Sequence, residues 1–221
     1  MPALRAVLFD LDGTLVDSAP DLCNAVNRVL QSLGHPPVPL ARLRQVVSKG
    51  GRAMLQVALP GLSDAEREPL LAPFLAHYAQ ALAVESVVYA GMADVLAGIE
   101  ARGLRWGIVT NKPEALARGV VAGFGWTSRC GTLVGGDTLA TRKPDPAPLL
   151  LACRQLGIDA GQAIYVGDDL RDIQAATAAG MDSVAALWGY REPSDDPSQW
   201  AATHAFSDPR ELLSAPGLLP A

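Results

Sequence analysis

The chain has no run of basic residues, and its formal net charge is −5. Binding to a nucleic-acid backbone relies on clustered lysine and arginine that displace counterions, so this composition argues against a nucleic-acid partner. No uninterrupted apolar run approaches the roughly 20 residues that a membrane-spanning helix needs. The first residues carry no charged start followed by a long apolar stretch, so no secretory signal is expected. These absences predict a soluble, cytoplasmic protein without a membrane partner. Cysteine is sparse: Cys23, Cys130 and Cys153 are odd in number and lack close pairing or metal-type spacing. They read as reduced structural thiols. Aromatic residues make up only 5%, which leaves alanine, leucine and valine to fill the core. The 221 residues suit one domain of average-to-large size, or a core with a modest insertion.

What is present begins with a short apolar strand running into acids: Ala6-Val7-Leu8-Phe9-Asp10-Leu11-Asp12-Gly13-Thr14. Asp10 falls where that strand must end, and open α/β sheets bind ligands at the carboxyl ends of their strands. Two carboxylates two residues apart raise each other's pKa unless something positive compensates.

From about Ser18 to Ala83 the pattern is helical and interrupted. Ser18 is a good N-cap, Pro20 suits a first turn and Asp21 adds an acid there. Leu22, Val26, Val29, Leu30 and Leu33 follow a helical period until Gly34 and Pro36-Pro37 stop it. Further helices are expected over Leu40 to Val47 and from Arg52 to Pro60. Ser63-Asp64-Ala65-Glu66 is a capping-box pattern that opens a longer helix through Ala83, which Pro69 and Pro73 bend or split. Beyond residue 84 strands and helices alternate, with strands expected at 105–110, 131–135, 163–167 and 183–187. Helices are expected near 92–102, 113–123, 146–157 and 172–179. That alternation predicts a parallel sheet with helices on both faces. The first strand must join it, which makes the region between an all-helical insertion. Residues 189–221, rich in Pro, Asp and Ser, are expected to wrap the core surface.

Three later segments place polar residues at expected strand ends. Trp106 to Val109 leads into Thr110 and Asn111; Lys143 precedes a helix whose start is set by proline. Ala163 to Gly167 leads into Asp168, Asp169 and Asp172. An acid pair, Thr-Asn, Lys and an acid cluster, in that order, resemble the four signature motifs of the haloacid dehalogenase superfamily of phosphatases, and they frame almost the whole chain. The resemblance implies a Rossmann-like core (residues 1–16 and 85–221) with a helical cap inserted at residues 17–84. It implies Asp10 as a nucleophile that forms an aspartyl-phosphate, and Asp12 as the general acid and base. It also implies that Asp10, the backbone carbonyl of Asp12 and Asp168 form a hard oxygen site suited to Mg2+. Thr110 and Asn111 are expected to hold the phosphoryl oxygens, and Lys143 to balance charge on Asp10 and on the transferring group. The second acid is Asp169 or Asp172, and Asp172 is equally read as a first-turn acid of the following helix. Lys112 and Arg142 are expected to be solvated.

Asp12 argues against dehalogenation, because a tyrosine usually stands at that position in the dehalogenases, which need no metal. The overall organisation resembles the phosphoglycolate phosphatase group. Ser48 to Met54, Gly167 to Ile173, and Trp188-Gly189-Tyr190 with Trp200 look closer to bacterial N-acetylmuramic acid 6-phosphate phosphatases of cell-wall sugar recycling. The expected substrate is therefore a small phosphorylated metabolite, N-acetylmuramic acid 6-phosphate or alternatively 2-phosphoglycolate. Both carry a carboxylate, and Arg52, beside Gly50-Gly51 in the insertion, is the candidate to grip it. A sugar phosphomutase and a non-catalytic phosphometabolite sensor are the competing readings; product analysis separates the first, and binding without turnover the second.

Overall fold

The computed structural model describes residues 3–220. Its sheet is built from six parallel strands: β1 (Ala6–Phe9), β4 (Arg105–Val109), β5 (Leu133–Val134), β6 (Ala163–Gly167), β7 (Asp182–Ala186) and β8 (His204–Phe206). Their order is β5-β4-β1-β6-β7-β8, with β1 in the middle. Strands alternate their side chains between two faces. Val7, Phe9, Ile108, Ile164 and Val166 enter one apolar cluster, while Ala6, Leu8, Val109, Ala163 and Tyr165 enter another. A sheet buried on both faces explains why these segments read as continuous apolar runs.

The helices of the second half are α6 (Met92–Ala101), α7 (Glu114–Gly123), α8 (Ala147–Leu156), α9 (Leu170–Ala179) and α10 (Glu211–Ser214). They support the expected α/β architecture, a Rossmann-like parallel sheet. β8 and α10 correct the expectation for the C-terminal segment. Instead of only wrapping the surface, it adds an edge strand in register with β7, Val184 opposite His204. Three residues of mixed polarity carry too little periodicity to announce a strand.

Helices α1 (Ala19–Ser32), α2 (Leu40–Arg44), α3 (Gly51–Ala58), α4 (Asp64–Arg67) and α5 (Leu71–Ala79) lie between β1 and β4 in the chain. Leu22, Val26, Val29 and Leu30 of α1 are buried, as their spacing predicts. The expected helix from 63 to 83 is split. Ser63 and Glu66 form the capping box of α4, and Pro69 falls in a 3-10 turn before α5. Pro73 is tolerated because it occupies the first turn of α5, where backbone N–H groups have no helical partner. α2 stops short of Val47, and a 3-10 turn over Val47–Lys49 leads to Gly50. Gly50 has φ +91°, a conformation that glycine adopts without strain, so the chain turns sharply into α3.

Two chain crossings join these helices to the sheet, and they pair as an antiparallel ribbon of β2 (Val16–Asp17) with β3 (Val87–Val88). Two-residue strands lie below what periodicity resolves. Asp21 pins the ribbon from α1: its carboxylate accepts from the backbone N–H groups of Val84, Glu85 and Ser86 at 2.9–3.0 Å, and from the Ser86 hydroxyl. No helix among the described residues is long and apolar enough to cross a membrane.

Candidate active site

Register brings the polar residues together. Phe9 lies opposite Ile108 on one side and Val166 on the other. Asp10, Thr110 and Asp168, each the first residue after its strand, therefore share one edge of the sheet. The chain leaves β1 toward β4 and β5, then returns to β6 on the opposite side, so this edge is the topological switch point where α/β sheets bind ligands.

Asp10, Asp168 and Asp172 converge there, all buried, with one carboxylate oxygen of each within 4.8 Å of the others. Lys143 partly balances them. Its ammonium lies 3.1 Å from Asp10 Oδ1 and 2.7 Å from Asp172 Oδ1, and it donates to Val109 O and to the Tyr165 hydroxyl. Burial opposes the lysine charge, but Asp10 and Asp172 outweigh it and hold its pKa above the ordinary value. Asp168 has no such partner among the described residues. Burial, then the neighbouring carboxylates of Asp10 and Asp172, raise its pKa well above the carboxylate range. Its oxygens are oriented by the Thr14 hydroxyl at 3.0 Å, the Ser48 hydroxyl at 2.7 Å and the backbone N–H of Tyr190 at 3.0 Å. Gly13 permits this approach: it has φ +85°, and a Cβ there would collide with the Asp168 carboxylate.

This donor set tests the fit of a divalent cation. Three buried hard oxygens face one ammonium, and the Asp12 carbonyl accepts no hydrogen bond from the described residues. A site short of positive charge with oxygen-only donors fits Mg2+.

Of the two candidate second acids, Asp172 joins Asp10 and Asp168, and it also caps α9 by accepting from Asp169 N at 3.0 Å. Asp172 is therefore a first-turn cap of α9 that also lies beside Asp10 and Asp168. Asp169 turns away, toward Lys49 at 2.9 Å and Arg171 at 2.8 Å. Burial works against its charge, but Arg171 and Lys49 outweigh that and bring its pKa down to about 2.

Asp12 accepts from the Ser18 hydroxyl at 2.5 Å, so Ser18 makes no side-chain cap on α1 and its hydroxyl serves the site instead. Lys112 corrects a second expectation. Its side chain is only 5% exposed, and its ammonium straddles Asp12 at 2.9 and 3.0 Å, with the Tyr78 ring centroid 4.3 Å away. Burial opposes its charge, while Asp12 and Tyr78 raise its pKa above the ordinary lysine value. Nothing in a Thr-Asn-Lys-Pro stretch signals this burial, because the covering residue comes from α5, 34 positions earlier in the sequence. Arg142 is exposed, as expected.

Thr110 is buried and Asn111 half-buried beside the acids; the Asn111 amide donates to Lys143 O at 2.9 Å and so holds the lysine loop. Arg52 lines the same cavity as Asp10 and Asp12 but pairs elsewhere. Its side chain is 61% exposed, and its guanidinium fork meets Glu68 at 2.6 and 2.7 Å. A cavity of about 250 Å³ opens between the sheet edge and the helices, walled by Asp10, Asp12, Lys112, Met54, Phe74 and Tyr78.

Residues 7–186 match the family described as haloacid dehalogenase-like hydrolase. The chain belongs to this family. A phosphoglycolate phosphatase of Xanthomonas campestris is 54% identical over 94% of each chain. An N-acetylmuramic acid 6-phosphate phosphatase of Pseudomonas aeruginosa is 46% identical over 95% of this chain and 93% of that protein. The crystal structure of a predicted phosphoglycolate phosphatase from Haemophilus somnus superposes with a TM-score of 0.85. That match covers 97% of this chain and 98% of that one, at 28% identity. The chain is a phosphatase of this family.

Proposed function

We propose that the protein hydrolyses a small phosphomonoester in a Mg2+-dependent reaction through an aspartyl-phosphate on Asp10. The observation that carries this reading is the convergence of Asp10, Asp168 and Asp172 beside Lys143 at the switch point of the sheet. Asp10 Oδ1 is held by Leu11 N at 2.8 Å and by Lys143. That leaves Oδ2 to attack phosphorus as the ester P–O bond breaks. Asp12 gives a proton to the departing alkoxide, then takes one from the water that attacks the aspartyl-phosphate; cleavage of the P–O bond to Asp10 releases inorganic phosphate. Lys143, Thr110 and Asn111 face the phosphoryl oxygens, on which charge spreads during transfer. Mg2+ would be held by Asp10, the Asp12 carbonyl and Asp168, with Asp172 in support, and would neutralise charge on nucleophile and phosphoryl group.

Residues 17–84 are proposed to act as a cap over a core of residues 1–16 and 85–221. The ribbon of β2 and β3 supplies two chain crossings on which such a unit turns. Ser48 and Lys49 reach from it to Asp168 and Asp169.

The proposed substrate is N-acetylmuramic acid 6-phosphate, with 2-phosphoglycolate the second reading. The relatives bearing these activities support both, and a cavity of about 250 Å³ favours the larger sugar over a two-carbon acid. Arg52 is the proposed contact for the substrate carboxylate, reached when it releases Glu68. A phosphate-release screen over small phosphorylated metabolites, with Mg2+ and with chelator, tests the proposal. Fastest release from N-acetylmuramic acid 6-phosphate, abolished by chelator, is expected. Full activity in chelator would refute the metal role, and binding without release would refute the enzyme reading.

A further inference from the structure

We propose that Lys112 is a positioning residue for Asp12, and that Tyr78 completes the clamp when the helical segment lies over the sheet. This rests on the general acid and base role of Asp12 given above. Lys112 follows β4, whereas Tyr78 belongs to α5, so the clamp is assembled from both parts of the chain.

An ammonium group has three donors. Lys112 lies 2.9 Å from Asp12 Oδ1 and 3.0 Å from Oδ2, astride the carboxylate. The Ser18 hydroxyl takes Oδ1 as well, so Oδ1 carries two hydrogen bonds and Oδ2 one. Oδ2 thereby keeps the freer lone pair and is the oxygen available to the leaving group. Proton transfer requires the donor oxygen within about 2.6–3.2 Å of its target, so fixing this carboxylate matters for rate.

The Tyr78 ring is fully buried and covers the ammonium at 4.3 Å, well inside the range of a cation–π contact. The ammonium lies over the ring face, and among the described residues the Tyr78 hydroxyl makes no hydrogen bond of good geometry. The ring excludes water from one side of the ammonium, and the N–H groups are left to turn toward Asp12. Without that cover, more of Lys112 would be open to the cavity and would share its donors with solvent. Of the other basic groups lining the cavity, Lys49 and Arg171 face Asp169, Arg52 faces Glu68, and Arg142 is exposed. Phe74 and Met54 continue the dry wall beside Tyr78. Lowering the helical segment therefore orients the acid that the reaction needs, and lifting it loosens that acid.

The test uses steady-state kinetics of the full chain with 2-phosphoglycolate and with p-nitrophenyl phosphate, whose leaving group hardly needs a proton. Lys112→Met keeps the apolar stem and removes the donors. It should lower kcat for 2-phosphoglycolate by about 10- to 100-fold, with a much smaller loss on p-nitrophenyl phosphate, since general acid catalysis itself supplies about 10²- to 10⁴-fold. KM should move by less than about threefold, because removing an interaction made only in the transition state lowers kcat rather than raising KM. In an Asp12→Asn background the same change should add little further loss, the non-additivity expected of residues that act as a unit. Should Lys112→Met fail to fold, Lys112→Arg and the Tyr78 pair carry the test. Tyr78→Leu should lower kcat on 2-phosphoglycolate, and Tyr78→Phe, which keeps the ring over the ammonium, should recover most of that loss. Full additivity of Lys112→Met with Asp12→Asn, an effect confined to KM, or equal losses in Tyr78→Leu and Tyr78→Phe would overturn the inference. Undiminished hydrolysis of 2-phosphoglycolate by Asp12→Asn would refute the proposed role of Asp12 and, with it, this inference; it is read in a separate variant.

Discussion

Replacing Lys143 by methionine should cost far more stability than the loss of a surface lysine. Lys143 is 3% exposed, and its ammonium faces two buried carboxylates, Asp10 and Asp172, while donating to Val109 O and the Tyr165 hydroxyl. Methionine fills similar volume, so packing changes little and the loss is electrostatic. Removing one partner of a buried ion pair leaves an uncompensated charge and costs about 3–5 kcal/mol. A chain of this size loses about 2–4 °C of melting temperature per kcal/mol, so the midpoint should fall by roughly 6–20 °C. Urea denaturation and calorimetry of the metal-free protein measure both quantities. Saturating Mg2+ should return part of the lost stability, because the cation supplies the missing positive charge, but activity should stay low without Lys143 at the phosphoryl group. The double variant Lys143→Met/Asp172→Leu should recover part of the loss, since replacing a buried pair by apolar residues is far less costly than breaking it. A Lys143→Met protein within about 1 kcal/mol of the parent, the range of exposed ion pairs, would refute the reasoning.

Asp10→Asn should fold normally and lose turnover, since an amide is a poor nucleophile and a poor Mg2+ ligand; near-native phosphate release from a sample free of deamidation would exclude Asp10. Mg2+ at about 100 times its dissociation constant should stabilise the metal-free protein by about 2.7 kcal/mol, and Asp168→Asn should remove most of that shift in a thermal melt. Arg52→Ala should lower kcat/KM for carboxylate-bearing substrates by less than the full 1.5–3 kcal/mol of a charged hydrogen bond, because Arg52 must first release Glu68. Glu100 accepts from Arg129 and from Trp106 Nε1, and the Arg129 hydrogen bond, outweighing a smaller opposing effect of burial, lowers its pKa. Its contribution is therefore present above the ordinary glutamate pKa and lost as pH falls through the lowered one. Glu100→Gln should cost under about 1 kcal/mol at pH 7, and that difference should shrink in melts taken progressively below the ordinary glutamate range.

The order of motifs along the chain was enough to determine the family and the parallel sheet, and it singled out the acids proposed for the site. Each of these rests on local patterns: apolar runs that must be strands, and polar residues that must follow them. The α1 stripe and the Ser63–Glu66 capping box were legible for the same reason, being contacts between residues three or four apart. Tertiary structure alone decided who partners whom. Lys112 reads as a solvated loop lysine until α5 lays Tyr78 over it, and Arg52 reads as a free fork until Glu68 takes it. Ser18 was legible as a helix cap, yet its hydroxyl is drawn to Asp12, which the turn at Gly13 brings within reach. Asp172 could not be assigned between cap and cation support, because both depend on where Lys143 and Asp10 arrive in space. The edge strand β8 and the β2–β3 ribbon are two or three residues long, too short for periodicity, and exist because neighbouring strands offer unpaired backbone. Local pattern fixes the longer elements, while the charge and water content around each side chain come from segments distant in the chain.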